Sequence, residues 1–374
     1  MSGGVDSSVA AHLLRQQGCE VEGLSLILYE ARMKGSFTGC CSIGAINDAQ
    51  RTAEHMGIRH SRLDLRNEFL EKVIEPFIEA YSKGLTPNPC ILCNRHIKFP
   101  SLLRFADERK AEFIATGHYA RTAETTPCVR LPAGQTPLPA PAMLGKGIDL
   151  KKDQSYVLYA LRPEELSRLV LPLGEKRKDE VREIARALDL PAAKRPESQE
   201  ICFVEDGKYF RFLENLTEGR EGPIIDTESG KIIGTHKGIH LFTIGQRKRL
   251  GIATGRPLFV AGIDRSKNAV YVGPKETAMT REFMLDEINW LMPPIPSSGT
   301  PHSLRLKPYG LRASVKVRSM MKDEPALLAV LDDGRVRVVF DEPQWAPAPG
   351  QSAVFYDGDM VLGGGVISGS AAQN

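Results

Sequence analysis

The sequence predicts an α/β chain with a parallel-sheet N-terminal domain (residues 1–205), a small β-rich central domain (206–280) and a C-terminal β-barrel (281–374). Three observations carry that prediction. Helix-like and strand-like runs alternate through the first half, which implies a parallel sheet with helical crossovers. Beyond about residue 205 the helical period gives way to short apolar runs between turns. From Met284 onward only such runs remain, at the regular spacing of a small barrel. A chain of 374 residues also exceeds what one core usually holds, so two or three domains are expected.

In chain order, Val9 to Gln17 has the apolar spacing of a helix and Val21 to Leu28 that of a strand. Ile46 to Met56 is helical, Arg62 to Leu65 a short strand, and Asn67 to Ser82 an amphipathic helix. Ile97 to Arg109 is predicted as a further helix and Glu112 to Thr116 as a strand. Ligands of such sheets bind at the carboxyl ends of strands. Residues 122–148, rich in Pro, Gly, Ala and Thr, read as a surface excursion. Helical pattern returns over 154–162, 163–170 and 178–189. Strands are then predicted at 224–225, 232–233, 241–244, 258–263 and 270–272. The last part carries strands at 313–317, 326–331, 336–340, 352–356 and 361–367, with the proline-rich 293–301 as a loop. No internal repeat is present.

Hydrophobic content of 42% and charged content of 25% are ordinary for a globular chain. No apolar run reaches the ~18 to 20 residues a membrane helix needs, and no signal-peptide pattern opens the chain. A cytoplasmic protein with no membrane partner is expected. Seven cysteines, an odd number without a secretory signal, argue against a disulfide framework. Cys19 and Cys128 carry no motif and read as ordinary small residues.

The net charge of +3 is unevenly placed. Residues 1–228 hold 33 of the 46 acids, whereas 229–263 and 288–322 hold none. Those two windows carry Lys231, Lys237, Arg247, Lys248, Arg249 and Arg256, then Arg305, Lys307, Arg312, Lys316, Arg318 and Lys322. Such asymmetry points to a polyanionic partner, nucleic acid being the natural one, because phosphate contacts dominate that affinity.

The segment Ser2-Gly3-Gly4-Val5-Asp6-Ser7-Ser8 before a helix is a phosphate cradle on physical grounds. Two glycines permit a tight turn and close backbone approach. The unpaired N–H groups of the helix start face an anion. Serine hydroxyls add donors, and Asp6 organises the loop or holds Mg²⁺. The Lys-Ser/Thr ending of a Walker loop is absent. The segment instead resembles the loop of ATP pyrophosphatases, which cleave between the α- and β-phosphates to adenylate a substrate oxygen. Such loops follow a buried central strand, while this sequence begins at Met1. A strand ahead of Met1 is the expectation, a sheet without its middle strand the alternative.

Two thiol segments stand 109 positions apart. In the first, Thr86-Pro87-Asn88-Pro89-Cys90-Ile91-Leu92-Cys93-Asn94-Arg95, Cys93 is placed near a helix start beside Arg95 and Lys98, a setting that favours thiolate. By spacing alone the Cys90/Cys93 pair has three readings: a metal half-site completed by Cys40 and Cys41, a dithiol redox pair, or one nucleophile with an incidental neighbour. The second is Ser198-Gln199-Glu200-Ile201-Cys202-Phe203.

SGGVDSS at 2–8, GCCS at 39–42, TPNPCILCNRHIKF at 86–99, ATGHYAR at 115–121, KDQSYVLY at 152–159, SQEICF at 198–203, TIGQRKRLGI at 243–252 and PGQSAVFY at 349–356 occur in this order. Together they resemble the tRNA-specific 2-thiouridylases, from Met1 to about Ile367. The resemblance implies an adenine-nucleotide-hydrolase-like N-terminal fold and a tRNA-uridine 2-sulfurtransferase. Such an enzyme adenylates the 2-oxygen of a wobble uridine, and sulfur then displaces AMP. It implies Cys202 as the persulfide carrier and Cys93 as the nucleophile that releases sulfide or forms a transient disulfide with Cys202.

ATP contacts carried over by the resemblance are Met1, Ser2, Gly3, Gly4, Val5, Asp6, Ser7, Ser8, Leu26 and Gly117, with Mg²⁺ accompanying ATP. Target-base and tRNA contacts are Asn88, Pro89, Cys90, His118, Lys152, Asp153, Gln154, Arg318, Ser319 and Gln351. Lys152, Asp153 and Gln154 are otherwise a helix cap. Arg247 and Lys248, with Arg249, are added from charge, as phosphate-positioning cations in a glycine-bounded turn. Implied partners are tRNA of the Lys, Glu and Gln isoacceptors and a sulfur-donor protein or cysteine desulfurase. Many relatives carry Asp where Cys90 stands, which removes a carboxylate and opens an iron–sulfur cluster at Cys90, Cys93 and a further cysteine as a second reading. The functional alternatives are an amidotransferase-type synthetase with the same loop, which has no need of Cys93 or Cys202, and a non-catalytic RNA-binding protein.

Overall fold

The computed structural model describes residues 1–29, 43–122, 143–194, 201–204, 209–214, 219–253, 255–292 and 310–369. Cys40, Cys41, Cys128, Ser198, Gln199, Glu200, Arg305, Lys307 and the loop predicted at 293–301 lie outside them. The chain divides into two compact units.

The first unit comprises residues 1–73, 89–207 and 359–361. It opens with α1 (Val5–Gln16), β1 (Glu22–Ile27), α2 (Ile43–His55), β2 (Arg59–Asp64) and the short α3 (Arg66–Phe69). α1 starts at Gly4, whose backbone is extended, carries Asp6 in its first turn and Arg15 in its last, and buries Val9, Ala10 and Leu14. That placing of charge suits the helix dipole. β1 and β2 pair in parallel, Glu22 opposite Arg59 through Ile27 opposite Asp64.

A helical turn of widened pitch, Leu70–Ile74, leads to α4 (Glu75–Ser82). A second, Asn94–Lys98, joins α5 (Pro89–Cys93) to α6 (Phe99–Arg109). Both widened turns run into a proline, Pro76 and Pro100, at the start of the next helix. Proline has no N–H to return to the preceding turn, and its ring crowds the carbonyl four residues back, so the helix opens there. The helical run predicted from Ile97 thus begins eight residues earlier, at Pro89, a residue suited to the first helical position.

β3 (Ile114–Ala115), β4 (Ala120–Thr122), β5 (Leu144–Lys146), α7 (Ser155–Leu158), α8 (Pro163–Ser167), β6 (Leu169–Val170) and α9 (Lys178–Ala187) follow. β4 and β5 form an antiparallel pair at the two ends of the predicted excursion. β3 pairs in parallel with β6, where a helix continuing to residue 170 is predicted. The described strands of this unit therefore make two parallel pairs, β1–β2 and β3–β6, besides the antiparallel β4–β5. Val9, Ala10, Tyr119, Leu173, Val181, Ala185 and Leu190 form the core that packs α1 against α9.

The second unit comprises residues 74–88, 208–358 and 362–374. Residues 74–88, placed by sequence within the N-terminal domain, belong here because Phe77 packs on Phe212 and Tyr81 on Tyr209, at ring separations of 6.4 and 5.3 Å. After α10 (Tyr209–Glu214) comes a four-stranded sheet of β7 (Gly222–Asp226), β8 (Ile232–His236), β9 (Phe259–Asp264) and β10 (Ala269–Gly273), in the order β8-β7-β10-β9. The run 241–244, predicted as a strand, follows a short 3-10 turn at Ile239–Leu241 instead. Ile239 and Phe242 both drop into the core of this sheet, which the alternating geometry of a strand would not allow.

β11 (Met279–Trp290), β12 (Gly310–Lys316), β13 (Glu324–Val330), β14 (Val336–Trp345), β15 (Ser352–Asp357) and β16 (Met360–Gly369) follow in the order β11-β14-β13-β12-β15-β16. β16 returns to pair with β11, so this barrel of six strands is closed and leaves no edge. Phe283, Leu285, Val315, Leu328, Val338 and Phe355 fill its interior.

Candidate active site

The loop ahead of α1 is closed by its own serines. Ser8 Oγ donates to Gly4 O at 2.9 Å, Ser7 Oγ donates to the same oxygen at 3.2 Å, and Ser2 N donates to Ser7 Oγ at 3.1 Å. Ser8 is fully buried, so its hydroxyl shapes the loop rather than facing a ligand. Gly3 has φ +70°, and a Cβ there would overlap the carbonyl of Ala45, so the tight turn requires glycine. Met1 is held to β1: its amino group donates to Leu24 O, and its carbonyl accepts from Ser25 Oγ at 2.6 Å. Leu26, the remaining β1 residue expected at ATP, is half-buried opposite Leu63.

Gly117 approaches this loop from the segment after β3. A Cβ on it would stand 2.6 Å from Asp6 C and 2.7 Å from Ser7 N. The Asp6 carboxylate accepts from Tyr119 Oη at 2.8 Å and from Lys178 Nζ at 2.6 and 2.8 Å. An ammonium already seated on both oxygens is a poor arrangement for Mg²⁺, which demands near-ideal octahedral oxygen ligation. Of the two roles expected for Asp6, the organising one fits and the metal-holding one does not; any Mg²⁺ would come with the nucleotide's phosphates. The contacts of Tyr119 and Lys178 to Asp6 carried no signal in the sequence, because they span 113 and 172 residues.

The half-buried His118 stacks on Phe99 at 6.0 Å, and its Nδ1 lies 2.7 Å from Thr116 Oγ1. Burial, and then the charge of Lys98, hold the imidazole well below its ordinary value of 6.5. It is therefore a neutral hydrogen-bonding group, not a cation for phosphate. An unfolded chain takes up this proton below pH 6.5 and the folded chain resists it, so stability falls as the pH drops through that value. His118→Gln should remove the effect, at most about 1.4 kcal/mol at pH 5.5. Melting temperatures of both chains at pH 7.5 and 5.5 check this; an equal drop in the two would refute it.

Gln154 turns inward: its Oε1 accepts from Tyr119 N at 3.0 Å, and its own N–H donates to Tyr119 O at 2.8 Å. Asp153 accepts from Gly147 N, Ser155 N and Ser155 Oγ, which ties the residue at the start of α7 to the end of β5. Asp153 and Gln154, both expected at tRNA, thus have side-chain hydrogen-bond partners within the protein. Lys152 is half-buried beside them.

Cys93 is buried at the end of α5 and Cys90, one turn earlier, is exposed. Asn94, next to Cys93, donates to Val157 O at 2.8 Å and accepts from Lys98 Nζ at 2.9 Å. Lys98 is thus directed to Asn94 and His118. Arg95 is exposed. Cys202 is half-exposed, held by the buried Phe203, whose ring meets Phe69 edge-on at 5.8 Å. Both thiols belong to the unit that carries the loop. Among the described residues no three His, Cys, Asp or Glu side chains gather as a metal site. Cys40 and Cys41, the other proposed ligands, lie outside them.

In the second unit Thr86 is pinned to the turn before β15: Thr86 N donates to Pro349 O at 2.8 Å, and Gln351 Nε2 donates to Thr86 O at 3.0 Å. Gln351, expected at tRNA, thereby holds the segment around Thr86 within this unit. Arg318, also expected at tRNA, donates to Ile244 O at 3.0 Å and Ala346 O at 2.8 Å, an internal clip, with Ser319 half-buried beside it.

Arg247, Lys248 and Arg249 are all exposed, and Arg249 lies 3.7 Å over the Phe210 ring. A cavity of about 470 Å³ opens beside them, lined by Arg247, Arg249, Arg256 and Leu258 among others. Arg256 is neutralised by Glu228 and by Asp226 at 3.3 Å, so the basic window is less charged than its sequence suggests. No helix among the described residues is long and apolar enough to cross a membrane.

Comparison with known proteins covers the whole chain. Residues 1–206 match the model of the tRNA methyl transferase HUP domain, 210–274 that of the tRNA methyl transferase PRC-barrel domain, and 280–367 that of the aminomethyltransferase beta-barrel domain. A tRNA-specific 2-thiouridylase MnmA of Halothermothrix orenii is 42% identical over 371 residues, 98% of this chain and 97% of that one. MnmA 2 of Caldanaerobacter subterraneus subsp. tengcongensis is 43% identical over 98% of this chain and 96% of its own. That of Clostridioides difficile is 41% identical over 99% and 97%. Identity at this level along three successive domains, with the loop and both thiol segments inside the matched span, decides the relationship: the chain belongs to the tRNA-specific 2-thiouridylase family.

Proposed function

We propose that this protein is a cytoplasmic tRNA-uridine 2-sulfurtransferase that replaces the 2-oxygen of a wobble uridine by sulfur, using ATP. The observation that carries the reading is that the glycine loop, Gly117 and both thiols occupy one compact unit of a chain matched end to end by 2-thiouridylases. A carbonyl oxygen is a poor leaving group until activated. In the proposed first step the uridine 2-oxygen attacks the α-phosphorus of ATP, pyrophosphate departs, and C2 becomes an electrophile bearing AMP. The terminal sulfur of a Cys202 persulfide then attacks C2 and AMP leaves. Cys93 thiolate attacks the Cys202 sulfur, breaks the S–S bond and leaves one sulfur on C2. The Cys93–Cys202 disulfide so formed is reduced by an external thiol, and a sulfur-donor protein reloads Cys202.

The wobble base must leave its stack to meet these groups. Asn88, Pro89 and Cys90 precede Cys93 directly, which suits contact with that base. Lys and Glu and Gln tRNAs are the isoacceptors this family reading implies. The test is incubation with ATP, a cysteine desulfurase with cysteine as the source of persulfide sulfur, a thiol reductant and unmodified tRNA, followed by nucleoside mass analysis. Formation of 2-thiouridine with AMP and pyrophosphate in equal amounts is expected. Turnover of ATP into a different adenylated product would instead support an amidotransferase-type synthetase.

Arg247 and Lys248, both exposed, serve as phosphate contacts in this reading. Arg247→Ala is expected to weaken tRNA binding for all sequences alike and to reduce the slope of log affinity against log salt by roughly one. A salt titration with an unchanged slope would remove Arg247 from the interface.

A further inference from the structure

We infer that Lys178 is a positioning residue for ATP: it cancels the charge of the loop carboxylate Asp6 and so sets how tightly the loop takes a polyphosphate. The inference rests on the reading of Ser2–Ser8 as the ATP loop. Lys178 is the first residue of α9 and is fixed there from several directions. Glu180 accepts from Arg177 N at 2.6 Å, which caps the helix, and Asp149 Oδ2 accepts from Lys178 N at 3.0 Å. The Lys178 side chain, 10% exposed, passes Tyr119 with Nζ 5.4 Å from the ring centroid. It ends on Asp6 Oδ1 at 2.6 Å and Oδ2 at 2.8 Å. Tyr119 adds its hydroxyl to Oδ1 at 2.8 Å, and Gln154 holds the Tyr119 backbone through both its N–H and its carbonyl.

Asp6 lies in the first turn of α1, where free N–H groups face an incoming phosphate. A bare carboxylate in that turn would repel the same phosphate, and partial burial strengthens the repulsion. Lys178 removes it. A staple between helices would not need an ion pair, because Val9, Ala10, Val181 and Ala185 already join α1 to α9 in a closed apolar core. The pair is therefore read as electrostatic preparation of the loop, with Tyr119 and Gln154 fixing the carboxylate's orientation.

The experiment is a double-mutant cycle on the full chain, read as equilibrium binding of Mg²⁺–ATP by calorimetry. Lys178→Met keeps the apolar stem and should weaken binding at least tenfold, while Lys178→Arg should stay within about threefold of wild type. The double variant Asp6→Asn/Lys178→Met, in which the pair is again neutral, should recover affinity to within about threefold of wild type. Melting curves of each chain confirm that the binding-competent fold persists. An unchanged affinity for Lys178→Met, or a double variant that binds as weakly as Lys178→Met alone, overturns the inference and leaves the proposed function standing. A wild-type chain that bound no ATP would overturn both.

Discussion

A chain carrying Cys202→Ser is expected to bind ATP and tRNA as the wild type does and to form no 2-thiouridine, a loss of at least about 10³-fold in product. The fold should tolerate the change. Cys202 is half-exposed, and the anchoring of its segment falls to Phe203, 1% exposed, and Val204, 4% exposed. Substitutions at such surface positions usually stay within about 0.5 kcal/mol. The chemistry should not tolerate it, since an oxygen cannot carry the persulfide sulfur and a hydroxyl is a far weaker nucleophile at neutral pH than a thiolate. Nucleoside mass analysis of tRNA from cells that depend on the variant reads the result directly. Normal 2-thiouridine there would remove Cys202 from the mechanism. A loss of tRNA or ATP binding alongside the product would make the residue structural.

Cys93 sets a contrast that the same assay can use. It is buried at the end of α5, so Cys93→Ser places a hydroxyl where only 7% of the residue is exposed and combines a packing effect with any chemical one. Cys202 is the cleaner probe of sulfur transfer, and Cys93 requires a melting curve beside every activity value.

The loop, the two thiol segments and the change from α/β to all-β were legible because each is written in contiguous residues. Ser2 to Ser8 carries its own turn chemistry, and the barrel strands carry their alternation. Helix limits were less legible where prolines intervene: Pro89 moved a start forward, and Pro76 and Pro100 widened the turns before them. The run Leu241–Ile244 has the composition of a strand, yet Gln246 closes it as a turn by accepting from Thr243 N and donating to Lys248 O. Side chains that act at a distance were not legible at all. Nothing near Lys178 in sequence announces Asp6, and nothing near Arg318 announces the carbonyls of Ile244 and Ala346 that it clips. Polar residues assigned to tRNA by motif, Gln154, Asp153, Arg318 and Gln351, have their side chains engaged in internal hydrogen bonds. A motif marks that a residue matters before it marks whether the residue touches a ligand or holds another residue in place.

Gly117→Ala should lower kcat/KM for ATP by about 100-fold, some 2.7 kcal/mol in transition-state stabilisation. The added methyl would stand 2.6 Å from Asp6 C, 2.7 Å from Ser7 N and 2.9 Å from Asp6 O. All three are backbone atoms of the first turn of α1, so no flexible side chain can give way. Relief requires the loop to move away by the better part of an ångström, and misplacement on that scale typically costs on the order of 10²-fold in rate. Moving the loop also disturbs Asp6, whose carboxylate is held from the other side by Tyr119 and Lys178. The loss should therefore appear in pyrophosphate release as well as in thiolation, and tRNA affinity should hardly change. ATP titrations of pyrophosphate release, with tRNA saturating, separate these outcomes. A variant with wild-type kcat/KM would mean that the segment after β3 can retreat without cost, and that Gly117 does not define the nucleotide's place.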